Sequence, residues 1–417
     1  MKYKIEELCE INSENISKSD DIKYIYYLDT SNLTRGTINE IQKLIVGKDK
    51  LPSRAKRKVK VNDILISTVR PNQRHYGIIR KEIENLIVST GFAVLSPNLK
   101  KVNPEYLYWY LTQDSIVNYL QSIAETSTSA YPSIKPSVIG GLEIDLPKLE
   151  EQKAIANILS TLDEKIETNN QINEKLEEMA QALFKHWFVD FEFPNENGEP
   201  YKSSGGEMVE SELGMIPKGW EVSSLDKIAD YLNGLAMQKY RPKEDELSLP
   251  VLKIKELRNG ELDINSDRCS ANIEDKYIIN DGDIIFSWSG TLMIGIWCGG
   301  KCGLNQHLFK VTSQKYNKWF YYFWIKRHLD RFINIANSKA TTMGHIKRKD
   351  LTDSKVLIPT SNVYEKANEI LGTIINDIIN LKIESKKLKA VRDILLPKLM
   401  SGEIRIPMED GVLSEKN

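Results

Sequence analysis

The chain has no run of eighteen uninterrupted apolar residues, so no membrane span is expected. Met1–Glu10 is polar and lacks the apolar stretch of a secretion signal. Both absences point to a cytoplasmic protein. Cysteine is scarce: Cys9, Cys269, Cys298 and Cys302 are irregularly placed and read as free thiols of a reducing compartment. Cys298, Cys302 and His307 lie near one another, but a zinc site needs a fourth ligand and paired cysteines, and neither is present. The five histidines form no metal-binding pair at helical spacing. The stretch from Gly295 to Cys302 approaches a phosphate-binding loop. Cys302 cannot supply the magnesium-binding hydroxyl, however, and Ile296 and Trp297 are too bulky for the cradle. No glycine-rich cofactor fingerprint follows a predicted strand. An enzyme with its own nucleic-acid chemistry is the competing class, and no motif supports it; the chain is expected to hold no cofactor.

Net charge is also nearly absent, at −1. Its distribution is uneven. Arg35–Lys81 carries thirteen Lys/Arg against three acids, and Lys301–Lys349 eleven against one. Two basic blocks in a neutral chain suggest two electrostatic footprints for a polyanion such as DNA. The plain alternative, a solvated surface, suits one block better than two in matching halves. The first block falls early in its half and the second late, so the two halves are not expected to meet DNA with identical surfaces.

At 417 residues the chain exceeds one ordinary domain. It is an internal repeat. At an offset of 212, Ile134-Lys135 matches Ile346-Lys347, Pro147 matches Pro359, and Lys175-Leu176 matches Lys387-Leu388. Upstream, Asp63-Ile64-Leu65-Ile66-Ser67 resembles Asp283-Ile284-Ile285-Phe286-Ser287. The upstream offset drifts, as loop insertions would make it; the fixed downstream offset marks an element that tolerates none. Each half reads as a β-rich globular segment followed by a helical stretch (Pro104–Ile123, Lys318–Ala336) and one long helix. Asn103-Pro104-Glu105-Tyr106, which superficially resembles a methyltransferase catalytic motif, has Glu at the third place and reads as a helix cap. Gly, Pro and Ser crowd residues 193–218, which read as a linker.

Leu149–Phe188 contains neither Pro nor Gly. Ile155, Leu159, Leu162, Ile166, Asn169, Asn173, Leu176, Ala180 and Leu183 alternate spacings of four and three, a heptad seam. The second copy supplies Ile370, Ile374, Ile378, Leu381, Leu388, Val391 and Leu395. About forty residues at 1.5 Å rise make a rod of roughly 60 Å. Glu150–Glu178 has eight acids and three lysines, whereas Lys382, Lys386, Lys387, Lys389, Arg392 and Lys398 crowd the second rod's C-terminal end. That asymmetry favours pairing with a basic rod, and the internal repeat favours the antiparallel arrangement over a single amphipathic helix packed on its own domain. Asn169 and Asn173 in the seam are expected to cost stability and restrict register.

Two similar modules with two similar rods resemble the specificity (S) subunits of type I restriction-modification systems over essentially the whole chain. The resemblance is carried by Ile216-Pro217-Lys218-Gly219-Trp220, Leu146-Pro147 with Glu151-Gln152-Lys153, Ala182–Phe188 and Leu395–Ile404. It implies an α+β chain of two mixed, β-rich target recognition domains separated by two long antiparallel coiled-coil helices, a pseudo-two-fold internal repeat. The expected segments are a first target recognition domain at 1–148, a first spacer helix at 149–192 and the linker at 193–218. A second target recognition domain at 219–360, a second spacer helix at 361–404 and a tail at 405–417 follow. The implied function is non-catalytic recognition of a bipartite double-stranded DNA target, with docking of two methyltransferase (M) subunits and of restriction (R) subunits. S-adenosylmethionine, ATP and Mg would sit on those partners.

Reading bases needs Arg, Lys, Asn, Gln, Ser or Thr at groove edges, on a scaffold held by phosphate contacts. The first-module candidates are Arg35, Lys56, Arg57, Lys58, Arg70, Asn72, Gln73, Arg74, Ser127, Thr128 and Lys135. Pro71 is placed to present Arg70 and Gln73 on a turn. The second-module candidates are Lys239, Arg241, Ser287, Lys301, Gln306, His307, Thr341, Thr342, His345, Lys347 and Arg348. Trp288 reads equally as core or contact. The polar loops before Ile134-Lys135 and Ile346-Lys347 suit phosphate binding on backbone N–H groups, or helix capping alone.

Overall fold

A computed structural model gives the fold; it describes residues 1–407 except 18–19, 128–130, 264 and 339–343. The chain divides into two compact units, Met1–Glu164 with the segment from Lys389, and Lys165–Leu388. Contact density thus draws its line inside the two long helices, not at their ends.

The first unit holds two four-stranded sheets. One orders its strands Gln42–Ile45, Tyr24–Leu28, Leu86–Ser89, Ala55–Lys58; the other Cys9–Ile11, Phe92–Pro97, Ile64–Ser67, Tyr76–Ile78. Ile64–Ser67 is buried throughout, as is Phe92–Ser96, which explains why these strands read as unbroken apolar runs. Lys2–Lys4 pairs antiparallel with Glu143–Asp145. Helix Pro104–Leu111 opens as the sequence indicates: Asn103 Oδ1 accepts from Tyr106 N–H at 2.9 Å, and Pro104 takes the first position, where no N–H is needed. Tyr106, Leu107, Tyr108 and Trp109 are buried beneath it. Gln152, almost wholly buried, joins this helix to the base of the first rod by accepting from Asn103 N–H (2.8 Å) and donating to Pro147 O (3.0 Å).

The second unit repeats this plan strand for strand. Asp230–Asn233, Leu308–Thr312, Ile284–Ser287 and Met293–Ile296 form one sheet; Arg268–Ser270, Ser248–Leu252, Cys302–Leu304 and Ile278–Ile279 form the other. Each unit has a parallel pair at the same place, Tyr24–Leu28 with Leu86–Ser89 and Ser248–Leu252 with Cys302–Leu304. Glu221–Ser224 pairs with Lys355–Ile358 as Lys2–Lys4 does with Glu143–Asp145. One helix, Lys318–Ser338, replaces the two helices Pro104–Leu111 and Asp114–Glu125, and Trp319–Ile325 is buried as an unbroken run. Its entry is not capped like Asn103: the Asn317 side-chain amide donates to Asn368 Oδ1 instead.

The segment 193–218 is more ordered than a linker. Phe193 is buried and stacks on Tyr201 (4.5 Å between centroids) and Trp220 (5.3 Å), and Met208–Ser211 pairs with Gly214–Pro217 as a hairpin. Its glycines and prolines make turns over an aromatic plug, so composition alone misreads it.

The first rod is Leu149–Phe188. The second is Ser361–Ala367, a π-helical turn Asn368–Gly372 and Thr373–Met400. In the first unit, Ile155 and Leu159 share a core with Leu399, and Asp163 meets Arg392 at 2.7 Å. In the second, Asn169 Nδ2 donates to Glu384 Oε2 at 2.8 Å and Lys165 lies 3.7 Å from Glu384. In the first unit, rising numbers on one rod meet falling numbers on the other, so the pairing there is antiparallel. On the first rod, Ile155, Leu159, Ile166, Asn169 and Asn173 are buried, with Leu162, Leu176 and Leu183 half-buried. The second rod's seam needs correction. Ile370 and Val391 are exposed (43% and 44%), whereas Leu371, Ile375, Ile378, Ser385 and Leu399 are buried; Ile374, Leu381, Leu388 and Leu395 are half-buried flanks. The π-helical turn carries one extra residue and turns Leu371 inward in place of Ile370, while Ile378 is buried as expected.

Candidate nucleic-acid interface

A short strand extension is built the same way in both units. In the first, the chain leaves strand Ile64–Ser67 through Thr68-Val69-Arg70. Thr68 O accepts from Ile134 N–H (2.9 Å), Val69 bridges Ser133, and Arg70 N–H donates to Pro132 O (2.9 Å). In the second, Trp288 O accepts from Ile346 N–H (3.1 Å), Ser289 bridges His345, and Gly290 N–H donates to Gly344 O (2.9 Å). The buried serine ending each strand turns its hydroxyl onto the same backbone carbonyl, Ser67 to Val69 O (2.9 Å) and Ser287 to Ser289 O (3.2 Å). Ser287 is therefore a scaffold residue and not a reader: it is fully buried and its proton is committed.

In the first unit this platform carries Pro71–Gln73, a tight turn flanked by Arg70 (φ 48°) and Arg74 (φ 58°), both left-handed. The turn is braced from below. Arg74 ion-pairs with Asp114 at 2.7 Å, and Asn72 N–H donates to Gln121 Oε1 at 3.1 Å. Partial burial pulls the Arg74 pKa down, but the bonds to Asp114 and Tyr76 outweigh it and leave the guanidinium firmly charged. The Arg70 guanidinium lies over the Tyr131 ring, 4.8 Å from its centroid. Arg35, also left-handed (φ 48°), gives its N–H to Arg74 O at 2.9 Å and so joins the same cluster. Gln73 Oε1 lies 3.2 Å from His75 Nε2. Arg35, Arg70, Asn72, Gln73 and Arg74 are thus brought together. Lys135 is exposed nearby at the cap of the turn Pro136–Gly140, and Ser127 faces Ser133 at 3.4 Å. Thr128 lies outside the described residues.

Lys56, Arg57 and Lys58 are set apart, on the outer strand of the other sheet. Lys58 is paired with Asp20 at 2.7 Å, and Arg57 is half-buried beside Asn15, burial lowering its pKa. Only Lys56 of the three is exposed. Arg80 of the first basic block is likewise held in an internal pair, with Glu105 at 2.7 Å.

The second unit assembles aromatic and polar groups on its platform. Trp288 stacks on Phe309 (5.7 Å) between His307 and His345 (6.3 Å each), and its Nε1 donates to Asn233 Oδ1 at 3.0 Å. His307 Nδ1 lies 2.9 Å from Ser289 Oγ, and its Nε2 lies 3.3 Å from Gln306 Nε2. Arg348 covers the Phe309 ring and donates to Tyr231 O. Gln306, His307, His345, Lys347 and Arg348 therefore share a neighbourhood. Lys347 N–H is taken by Asp350 Oδ2 (2.7 Å), and Pro136 has no N–H; the polar loops before these two turns lie partly outside the described residues. Thr341 and Thr342 lie outside the described residues. Lys301 is exposed at the other end of the sheet, on a turn whose Gly300 N–H donates to Asp281 beside Lys386. Lys239 and Arg241 flank Tyr240, whose carbonyl accepts from Ser270 on the edge of the second sheet. Asn233, Tyr131 and Gln121 are additions that the sequence did not single out; no local motif marks them, because their partners come from distant segments.

Among the described residues, no cluster of three or more His, Cys, Asp or Glu is placed to hold a metal. All four cysteines are buried thiols, and burial pushes Cys9 up to about 12. No helix among the described residues is long and apolar enough to cross a membrane.

The family model described as type I restriction modification DNA specificity domain matches residues 1–178 and again 217–390. The chain belongs to this specificity family. It is accordingly a DNA-recognition subunit rather than a methyltransferase or nuclease. The HindI specificity subunit of Haemophilus influenzae is 26% identical over 408 residues, covering 85% of this chain and 89% of that protein. The MjaIX specificity subunit of Methanocaldococcus jannaschii is 31% identical, covering 77% and 73%. Among solved structures, the type I S subunit from M. genitalium matches 98% of this chain and 96% of its own at 16% identity, with a TM-score of 0.53, a likeness of fold.

Proposed function

We propose that this specificity subunit recognises a bipartite double-stranded DNA target, residues 1–148 reading one half and residues 219–360 the other. The observation that carries the reading is the platform built twice, with equivalent hydrogen bonds, beneath Arg70–Arg74 in one unit and Trp288, Gln306 and His307 in the other. Each presents side chains suited to base edges on a braced scaffold, as specific readout requires. The differing chemistry of the two surfaces suits two different half-sites. The antiparallel rods serve as spacer and as docking surface for two methyltransferase subunits and the restriction subunits. S-adenosylmethionine, ATP and Mg belong to those partners, and the assembly works in the cytoplasm. Exchanging residues 1–148 for those of another member, then sequencing modified bases in DNA from cells that also carry the methyltransferase, tests the division of labour. One half of the methylated target should change; a change in both halves would contradict it.

A further inference from the structure

The platforms differ at one equivalent position, and the difference runs against backbone preference. Arg70 and Gly290 occupy the same place: each follows the strand by three residues, and each gives its N–H to the residue two before the Ile-Lys pair, Pro132 and Gly344. Both backbones are left-handed, at φ 48° and φ 67°. The fold imposes that conformation, and the second copy fills it with the residue that adopts it freely. The first copy places an arginine there, where an L side chain is strained. A strained residue held in place by its surroundings points to a use for its side chain.

The use follows from what the side chain does. Arg74, Arg80 and Lys58 are committed to Asp114, Glu105 and Asp20. The exposed Arg70 guanidinium lies instead on the face of Tyr131. Stacking fixes the plane of the guanidinium and leaves its edge donors directed outward, so little freedom remains to be lost on binding. A flat pair of donors held at a groove edge matches the two acceptors, O6 and N7, that guanine shows in the major groove. We propose that Arg70 is a specificity-determining residue that reads a guanine in the half-site of the first module, and that the second module, with Gly290 at this position, lacks that contact. The proposal rests on the DNA-recognition reading above.

The test uses the complete specificity–methyltransferase complex and a library of duplexes randomised one position at a time. Arg70→Gly removes the fork and relieves the backbone. Arg70→Lys keeps the charge and removes the fork. With the unaltered subunit, methylation should require guanine at one position of one half-site. Both variants should relax that requirement by roughly tenfold to a hundredfold, the range that a bidentate guanine contact supplies. The other positions should stay unchanged, and the melting temperature of Arg70→Gly should be equal or higher. Two results would overturn the proposal: both variants keeping the full base preference, or both weakening every sequence alike, as loss of a phosphate contact would. If the unaltered complex methylates without sequence choice, the recognition reading itself fails. Should Arg70→Gly not assemble, Arg70→Lys decides alone.

Discussion

Asp163 on the first rod and Arg392 on the second meet at 2.7 Å, each largely shielded from solvent (24% and 18% of the side chain exposed). Arg392 also lies over the Trp109 ring, 5.9 Å from its centroid, and so ties the rods to the helix Pro104–Leu111 within the first unit. Partial burial alone would lower the arginine's pKa, but Asp393 and Asp163 together raise it, so the charge is secure. Arg392→Ala should leave Asp163 partly buried without its partner and cost about 1–3 kcal/mol. Denaturant midpoints of Arg392→Ala, Asp163→Asn and the double variant check this; a coupling above about 0.5 kcal/mol is expected.

The middle of the rod pair is polar. Asn169, Asn173 and Ser385 are buried, and Asn169 Oδ1, Asn173 Oδ1 and Ser385 Oγ have no partner among the described residues. Such a layer lowers stability and fixes register. Asn173→Leu should raise the melting midpoint by about 1–2 kcal/mol of stability and loosen the register. The readout for register is zero-length carbodiimide cross-linking of Lys165 to Glu384, whose Nζ and Oε2 lie 3.7 Å apart. The cross-link should form less completely when Asn173 is leucine.

Glu177 gives the second unit a pH dependence. Burial pushes its carboxyl pKa up, but bonds from Lys326 and Tyr322 outweigh burial and hold it below the ordinary value. A lowered folded-state pKa contributes stability that is present above the unfolded value, about 4.3, and is lost as pH falls through the folded one. Melting temperatures followed downward from pH 6 should therefore fall more steeply for the natural chain than for Glu177→Gln, and the two curves should converge at the acid end.

The aromatic plug distinguishes a folded connection from a tether. Phe193→Ala removes a buried ring from between Tyr201 and Trp220, and should destabilise the second unit by about 3–5 kcal/mol. A flexible linker would give no change in the thermal midpoint.

The repeat, the two modules and the antiparallel rods were legible because each rests on residues that recur: strand strings such as Asp63–Ser67 and Asp283–Ser287, and heptad spacing along Leu149–Phe188. Asn103 was legible as a cap because capping is local chemistry. The second rod's seam was not, because a π-helical turn at Asn368–Gly372 leaves no mark in apolar spacing and shifts the inward face from Ile370 to Leu371. The candidate site was legible as a set of residue types rather than as a surface. Arg70 through Arg74 did form one cluster. Lys58 and Ser287 matched the required chemistry, but their partners Asp20 and Ser289 O are known only once the chain is folded. Lys301 shares the second basic block with Gln306 and His307 yet sits at the other end of its sheet, since a strand between them carries the chain across.

The central claim is that this chain chooses a DNA sequence on behalf of a methyltransferase. The most direct measurement is base-resolved methylation of genomic DNA from cells carrying the chain, its methyltransferase partner, both, or neither. The account predicts methylation only when both are present, confined to one two-part sequence with an unspecified spacer. Methylation by the chain alone, or methylation by the pair without such a sequence, would contradict it.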